Sequence, residues 1–150
     1  MNRLPEYYFL LFLHLLLGYN GLVGGAVLII KPNGYLLGLN KNILDQSPFQ
    51  DYLIPGTLLF FFFGLIPILI LIGLIAKPAW KWANVFNINP DKHWSWTYSL
   101  FTGINLIIWI TIQLSMVRYF WLQPVMISFG LLIIIFTMMP RVIHHNTYLK

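Results

Sequence analysis

Four long stretches of the chain are apolar almost throughout: Tyr7–Ile30, Tyr52–Ala76, Trp94–Val117 and Trp121–Met139, and none of them holds a Lys, Arg, Asp or Glu. A bilayer core about 30 Å thick is crossed by roughly 20 helical residues rising about 1.5 Å each. Each stretch therefore predicts a membrane-spanning helix. The expected architecture is an all-α membrane protein, a four-transmembrane-helix bundle forming one domain over residues 1–150.

Turn chemistry supports these boundaries. Lys31-Pro32-Asn33-Gly34 stops the first helix, because Pro cannot continue it and Asn-Gly supplies a turn. Pro55 and Pro124 fall in first turns, where a missing N–H costs little. Lys77-Pro78 closes the second helix, the polar run Asn87 to Asp91 precedes the third, and Pro140-Arg141 ends the fourth. Aromatic pairs (Tyr7 and Tyr8, Trp80 and Trp82, Trp94 and Trp96, Tyr119 and Trp121) flank the spans, as at headgroup level. The 21-residue connection Lys31–Asp51 contains Tyr35-Leu36-Leu37-Gly38-Leu39 and Ile43-Leu44. It is too apolar for water and is expected to lie on the outer membrane surface or cap the bundle.

Four spans put both termini on one side. That side carries Arg3, Lys77, Lys81, Lys92, Arg141 and Lys150, the other Lys31, Lys41 and Arg118. Cationic loops stay inside, so both termini are expected to be cytoplasmic. Met1-Asn2-Arg3 before an apolar run resembles a signal sequence. The run is 24 residues long with no A-x-A site after it, whereas a signal core has roughly 7–15 residues. The first helix is expected to be retained.

Composition narrows the function classes. Only 9% of residues are charged, 59% are hydrophobic, and mean hydropathy is +0.75, against about 25% charged in an average soluble domain. The net charge of +5 sits at span ends, which fits lipid headgroups and topology better than nucleic acid. With no cysteine, disulfides, thiolate catalysis, Fe–S clusters and dithiol redox chemistry are excluded.

Side-chain spacing then orients the helices. His14, Gly18, Gly21 and Gly25 step by 4, 3 and 4, one stripe of the first helix. Such glycines let another backbone approach closely. On the second helix Gly56, Phe63, Gly64 and Pro67 share a face, and mid-span Pro67 is expected to bend it. Tyr98, Thr102, Asn105, Trp109 and Gln113 form the polar stripe of the third helix, expected to point inward because unpaired amides are costly in hydrocarbon. Counted from the cytoplasmic ends, Asn20 lies level with Asn105, and His14 nearer Thr102 and Tyr98. The candidate ligand-binding cluster is thus His14, Asn20, Tyr98, Thr102, Asn105, Trp109 and Gln113, with Gly18, Gly21, Gly25, Gly64 and Pro67 as packing residues. Each polar member also has a purely structural reading as interhelical glue.

No metal or cofactor is expected. His93, His144 and His145 share an edge with Asp91 but lack ligand spacing. A haem would want two intramembrane ligands, and His14 stands alone in the spans. No two carboxylates are placed as an acid/base pair.

The run Gly24-Gly25, then Lys31-Pro32-Asn33-Gly34, Ser47-Pro48-Phe49-Gln50-Asp51-Tyr52-Leu53-Ile54-Pro55-Gly56 and His93-Trp94-Ser95-Trp96, resembles a family of small four-span bacterial membrane proteins over nearly the whole chain. The resemblance implies a bacterial inner-membrane location and carries no catalytic residues with it. Other four-span families fit poorly. Vitamin K epoxide reductase-like proteins need Cys-x-x-Cys, and the eicosanoid and glutathione membrane enzymes need charges within their helices. The likeness to tryptophan-rich sensory proteins ends at Lys77-Pro78-Ala79-Trp80.

The expected role is a non-enzymatic accessory subunit, or a binder of lipid or a small apolar ligand. Its partners would be membrane lipids, another membrane protein or a second copy as a homodimer. The alternatives are a transporter or channel component lined by His14, Asn20, Asn105 and Gln113, and a lipid-modifying enzyme with His14 as base.

Overall fold

Proline marks the start of the first helix and stands again two residues past its end. In the computed structural model, which describes residues 4–148, α1 runs Pro5–Ile30 with Pro5 in its first turn. The chain then turns at Lys31, one residue before Pro32, its N–H donating to Val27 O at 2.9 Å. Arg3 and Lys150, two of the cations counted above, lie outside the described residues.

The second helix, α2, spans Leu53–Ala76. Asp51 opens it by accepting the Leu53 N–H at 2.9 Å, a carboxylate at the positive helix end. Pro67 acts differently from a simple bend: a wider π turn, Phe61–Leu65, precedes it. Proline removes an N–H and its ring presses on the carbonyl four residues back, here Phe63. The wider turn gives that carbonyl room, and the helix continues as one element. It ends where Lys77 adopts φ 46° before Pro78.

The third helix, α3, covers Trp94–Met116. Then come α4, Leu122–Thr137, and the short α5, Pro140–Asn146, which lie at 65° to each other. The unbroken helix expected over Trp121–Met139 is therefore shorter, and Pro140 opens a helix rather than merely ending one. Met139 is extended, with ψ 134°, as the residue before proline prefers. Helices α1, α2 and α3 are each long and apolar enough to cross a membrane; a fourth such element exists if the bent α4–α5 pair counts as one. Among the described residues there is no β-strand, only an isolated Lys92–Thr147 bridge.

Glycine brings the helices together. A Cβ on Gly21 would lie 2.0 Å from Phe63 O, one on Gly25 2.6 Å from Phe60 N, and one on Gly64 2.8 Å from Leu22 N. A Cβ on Gly18 would meet Ile68 at 2.6 Å. The α1 and α2 backbones are thus in direct contact, at the height where Pro67 has relieved Phe63 O of its usual donor. Gly103 of α3 and Gly130 of α4 face each other similarly, each added Cβ falling 2.9 Å from the other's carbonyl oxygen. Leu10, Leu13, Leu17, Phe63, Ile70, Leu74, Trp96, Leu106 and Ile133 fill the core between the helices. Outside, Phe12, Leu69, Ile108 and Ile135 stand exposed on successive helices. Hydrocarbon tolerates such a surface and water does not.

Both ends of the bundle are tied. At one, Arg141 pairs with Glu6 at 3.1 Å, Lys77 Nζ donates to His145 O at 2.5 Å, and His93 N donates to Asn146 O at 2.8 Å. The N-terminal turn, the α2–α3 connection and the C-terminal segment therefore meet there. At the other end the apolar connection folds back over the helices. Leu28, Leu44 and Tyr52 bury one another, and the Tyr52 hydroxyl donates to Asn40 O at 2.8 Å.

Candidate functional site

Polar side chains gather at two places in the bundle, one closed and one open. The closed one centres on His14. Its Nε2 lies 2.8 Å from Ser99 Oγ of α3, which lies 2.7 Å from Thr137 Oγ1 of α4. All three are fully buried, at 0% exposure. Trp96 adds a bond from its indole N–H to Thr137 O at 2.9 Å. The imidazole that donates from Nε2 leaves only a lone pair at Nδ1, which is buried without a partner. A hydroxyl beside an imidazole is the arrangement of a nucleophile and its base. Here no third group orients Nδ1 and no surface reaches the pair. The arrangement joins three helices.

Spacing had placed His14 with Thr102 and Tyr98, whereas its partner is Ser99. The signal was present: Ser95, Ser99, Thr102, Leu106 and Ile110 step by 4, 3, 4 and 4 along α3, and all are buried. Helix α3 thus has two polar stripes that share Thr102, and the one that runs through Ser95 and Ser99 faces inward. Thr137 sits at the last turn of α4, a position no periodicity singles out.

The open place belongs to the larger stripe. A groove of about 340 Å³ between α2 and α3 is lined by Phe62, Ile66, Tyr98, Phe101, Thr102 and Asn105. Thr102 is 95% buried at its floor, with 5% exposure, and Asn105 is exposed. Among the described residues neither the Asn105 amide nor the Thr102 hydroxyl has a hydrogen-bond partner. Asn20 is elsewhere: it is exposed and its amide donates to Leu16 O of its own helix at 2.7 Å. The expected Asn20–Asn105 pairing does not form. Trp109 is half-buried with its ring 6.3 Å from that of Phe63. Gln113 is half-buried near the far end of α3, its backbone carbonyl accepting from Val117 at 2.8 Å.

A third cluster lies where the termini meet. Trp80 stacks between Trp82 and Trp94, with ring centroids 5.4 and 5.5 Å away. Pro78 O accepts from both the Trp94 indole, at 3.0 Å, and His93 Nε2, at 3.1 Å. With Nε2 donating, His93 Nδ1 is the acceptor for Ser95, whose hydroxyl lies at 2.8 Å, and so caps α3. Burial holds the His93 imidazole below its ordinary range; the bond to Pro78 opposes this, and the Lys77 ammonium adds to it. The docked form therefore refuses a proton that the undocked form accepts near pH 6.5. The contribution is complete above that pH and is lost as pH falls below it. Hydrogen-exchange protection of the His93 and Tyr148 amides, corrected for intrinsic rate, should drop between pH 7.5 and 5.5, and a His93→Asn cap should remove that dependence. Among the described residues no group of three or more His, Cys, Asp or Glu could hold a metal ion.

No protein-family model, curated protein or solved structure matches this chain.

Proposed function

We propose that this chain is a four-span protein of a bacterial inner membrane that binds a lipid or small apolar ligand in the groove between α2 and α3. It would act alone or as an accessory subunit presenting that ligand to a membrane partner. Both termini would be cytoplasmic, since Lys77, Lys81, Lys92 and Arg141 accompany them and only Lys31, Lys41 and Arg118 oppose them. The bent α4–α5 pair would serve as the fourth span.

The observation that carries the reading is the unpaired Thr102 hydroxyl and Asn105 amide in an aromatic groove. A polar group in hydrocarbon without a partner costs a few kcal/mol, roughly 1–3 by protein mutational data. A groove that keeps two of them open favours an occupant that pairs them. Its volume of about 340 Å³ lies at the small end of the roughly 300–1,000 Å³ range of ligand sites. A transport path has less support, because His14 is shut between helices while Asn20 and Asn105 face outward on different helices. An enzyme using His14 as base would need access that the 0% exposure of His14 and Ser99 denies.

Extraction in mild detergent followed by lipid mass spectrometry tests this. One neutral lipid should co-purify near stoichiometrically, and Ile66→Trp, which fills the groove from its rim, should reduce it at least about tenfold while the protein stays monodisperse. Equal lipid content in both proteins would refute the groove as the site.

A further inference from the structure

The depth of the polar pair limits what can pair with it. Asn105 is the middle residue of α3, with 11 helical residues on either side, so it lies about 16 Å from each end at about 1.5 Å per residue. A phospholipid's charged headgroup stays at the interface, roughly 15 Å from mid-depth, and its cost in the core is several kcal/mol. The group that meets Thr102 and Asn105 is therefore uncharged and able to lie at the bilayer centre. The walls add a second limit: Phe62, Phe101 and Tyr98 present three rings to one small space, and the Tyr98 and Phe101 centroids are 6.5 Å apart. Aromatic walls favour a planar ring over a kinked chain. Asn105 offers donors and an acceptor, and Thr102 one of each, so ring oxygens in carbonyl or hydroxyl form are both served.

Resting on the groove reading above, we infer that the ligand is a neutral lipid whose polar part is a planar ring bearing carbonyl or hydroxyl oxygens, the chemistry of an isoprenoid quinone or quinol. The ring sits against Phe62 and Phe101, its oxygens meet Thr102 and Asn105, and its tail leaves along the outside of the helices. A second copy is the competing occupant. A two-fold pair would set Asn105 against Asn105, groove against groove, and two concave faces leave a void where an interface needs packing.

The test uses the full chain in phosphatidylcholine nanodiscs and two probes with the same ten-carbon tail: an alkyl benzoquinone and an alkyl bromobenzene. Both quench tryptophan fluorescence, so saturable quenching above simple partitioning reads binding. The quinone should bind the native chain at least about tenfold more tightly than the bromobenzene. Asn105→Leu and Thr102→Val should each weaken the quinone about five- to tenfold, the usual effect of one lost hydrogen bond. Asn105→Gln should keep most of the affinity. If Asn105→Leu does not fold, Thr102→Val carries the test. Equal, saturable binding of both probes, unchanged by either variant, would overturn the ring-oxygen ligand while leaving an apolar groove site. Saturable binding of neither probe would overturn the groove reading as well, and cross-linking that Asn105→Leu abolishes would then assign the groove to a second copy.

Discussion

Gly21→Ala is expected to prevent this protein from folding. The added methyl carbon would sit 2.0 Å from Phe63 O and 2.3 Å from Phe63 C, inside any van der Waals contact. The obstacle is backbone, so no rotamer change can relieve it, and Pro67 and the π turn fix where that carbonyl points. Relief requires α1 and α2 to separate, which removes contacts along their whole crossing, including those at Gly18, Gly25 and Gly64. Overpacking a core ordinarily costs about 1–3 kcal/mol, and more where a backbone must move. In a membrane, close packing is itself a main source of helix association. The cost should exceed about 3 kcal/mol, seen as loss of monodisperse protein in mild detergent. Gly24→Ala is the matched control. Its methyl would meet only Leu59 Cδ2 at 3.5 Å, an ordinary contact, so it should be neutral or slightly stabilising through its higher helix propensity. Equal tolerance of the two substitutions would show that the glycine stripe does not set the α1–α2 distance.

What the sequence revealed and what it hid follow from how each feature is encoded. Apolar runs without charges directly encode helices long enough for a bilayer, so α1, α2 and α3 were legible nearly to their ends. The glycines at 18, 21 and 25 were equally plain, since a stripe of missing side chains has one main use. The π turn at Phe61–Leu65 was not legible: Pro67 demands an accommodation, and a bend and a widened turn both supply it. The division of α4 from α5 turned on Met139, whose extended backbone comes from the following proline. The same Pro140 reads equally as a terminator or as a first-turn residue. The candidate site was half legible. Periodicity gave one polar stripe on α3, Tyr98 to Gln113, expected to face inward; it did not single out the stripe of Ser95 and Ser99, which does face inward. Bulk decided it: the small Ser95 fits against Gly73 of α2 and Ser99 against His14 and Thr137, while Tyr98 and Asn105 stay at the open groove. Level-matching of Asn20 with Asn105 failed because depth says nothing about azimuth. A helical amide can also satisfy itself on its own carbonyl, as Asn20 does on Leu16 O.

His14→Ala should be strongly destabilising, and for reasons unrelated to ligand binding. The imidazole is at 0% exposure, so its removal leaves a cavity, and truncations of this kind cost about 2–5 kcal/mol. It also strips Ser99 of one partner, and interhelical hydrogen bonds in membranes contribute about 0.6–1.7 kcal/mol. His14→Leu separates the two effects. It keeps most of the bulk, and Ser99 keeps Thr137 at 2.7 Å, so the loss should be only about 1 kcal/mol. Unfolding by added SDS would measure both variants, and the His14→Leu/Ser99→Ala cycle should give a coupling near 1 kcal/mol. Ligand affinity in the groove should not change in His14→Leu, because His14 does not line it. Native stability with lost binding would reverse the assignment: the His14–Ser99–Thr137 chain would then serve the ligand, and its closed form would be one of two states.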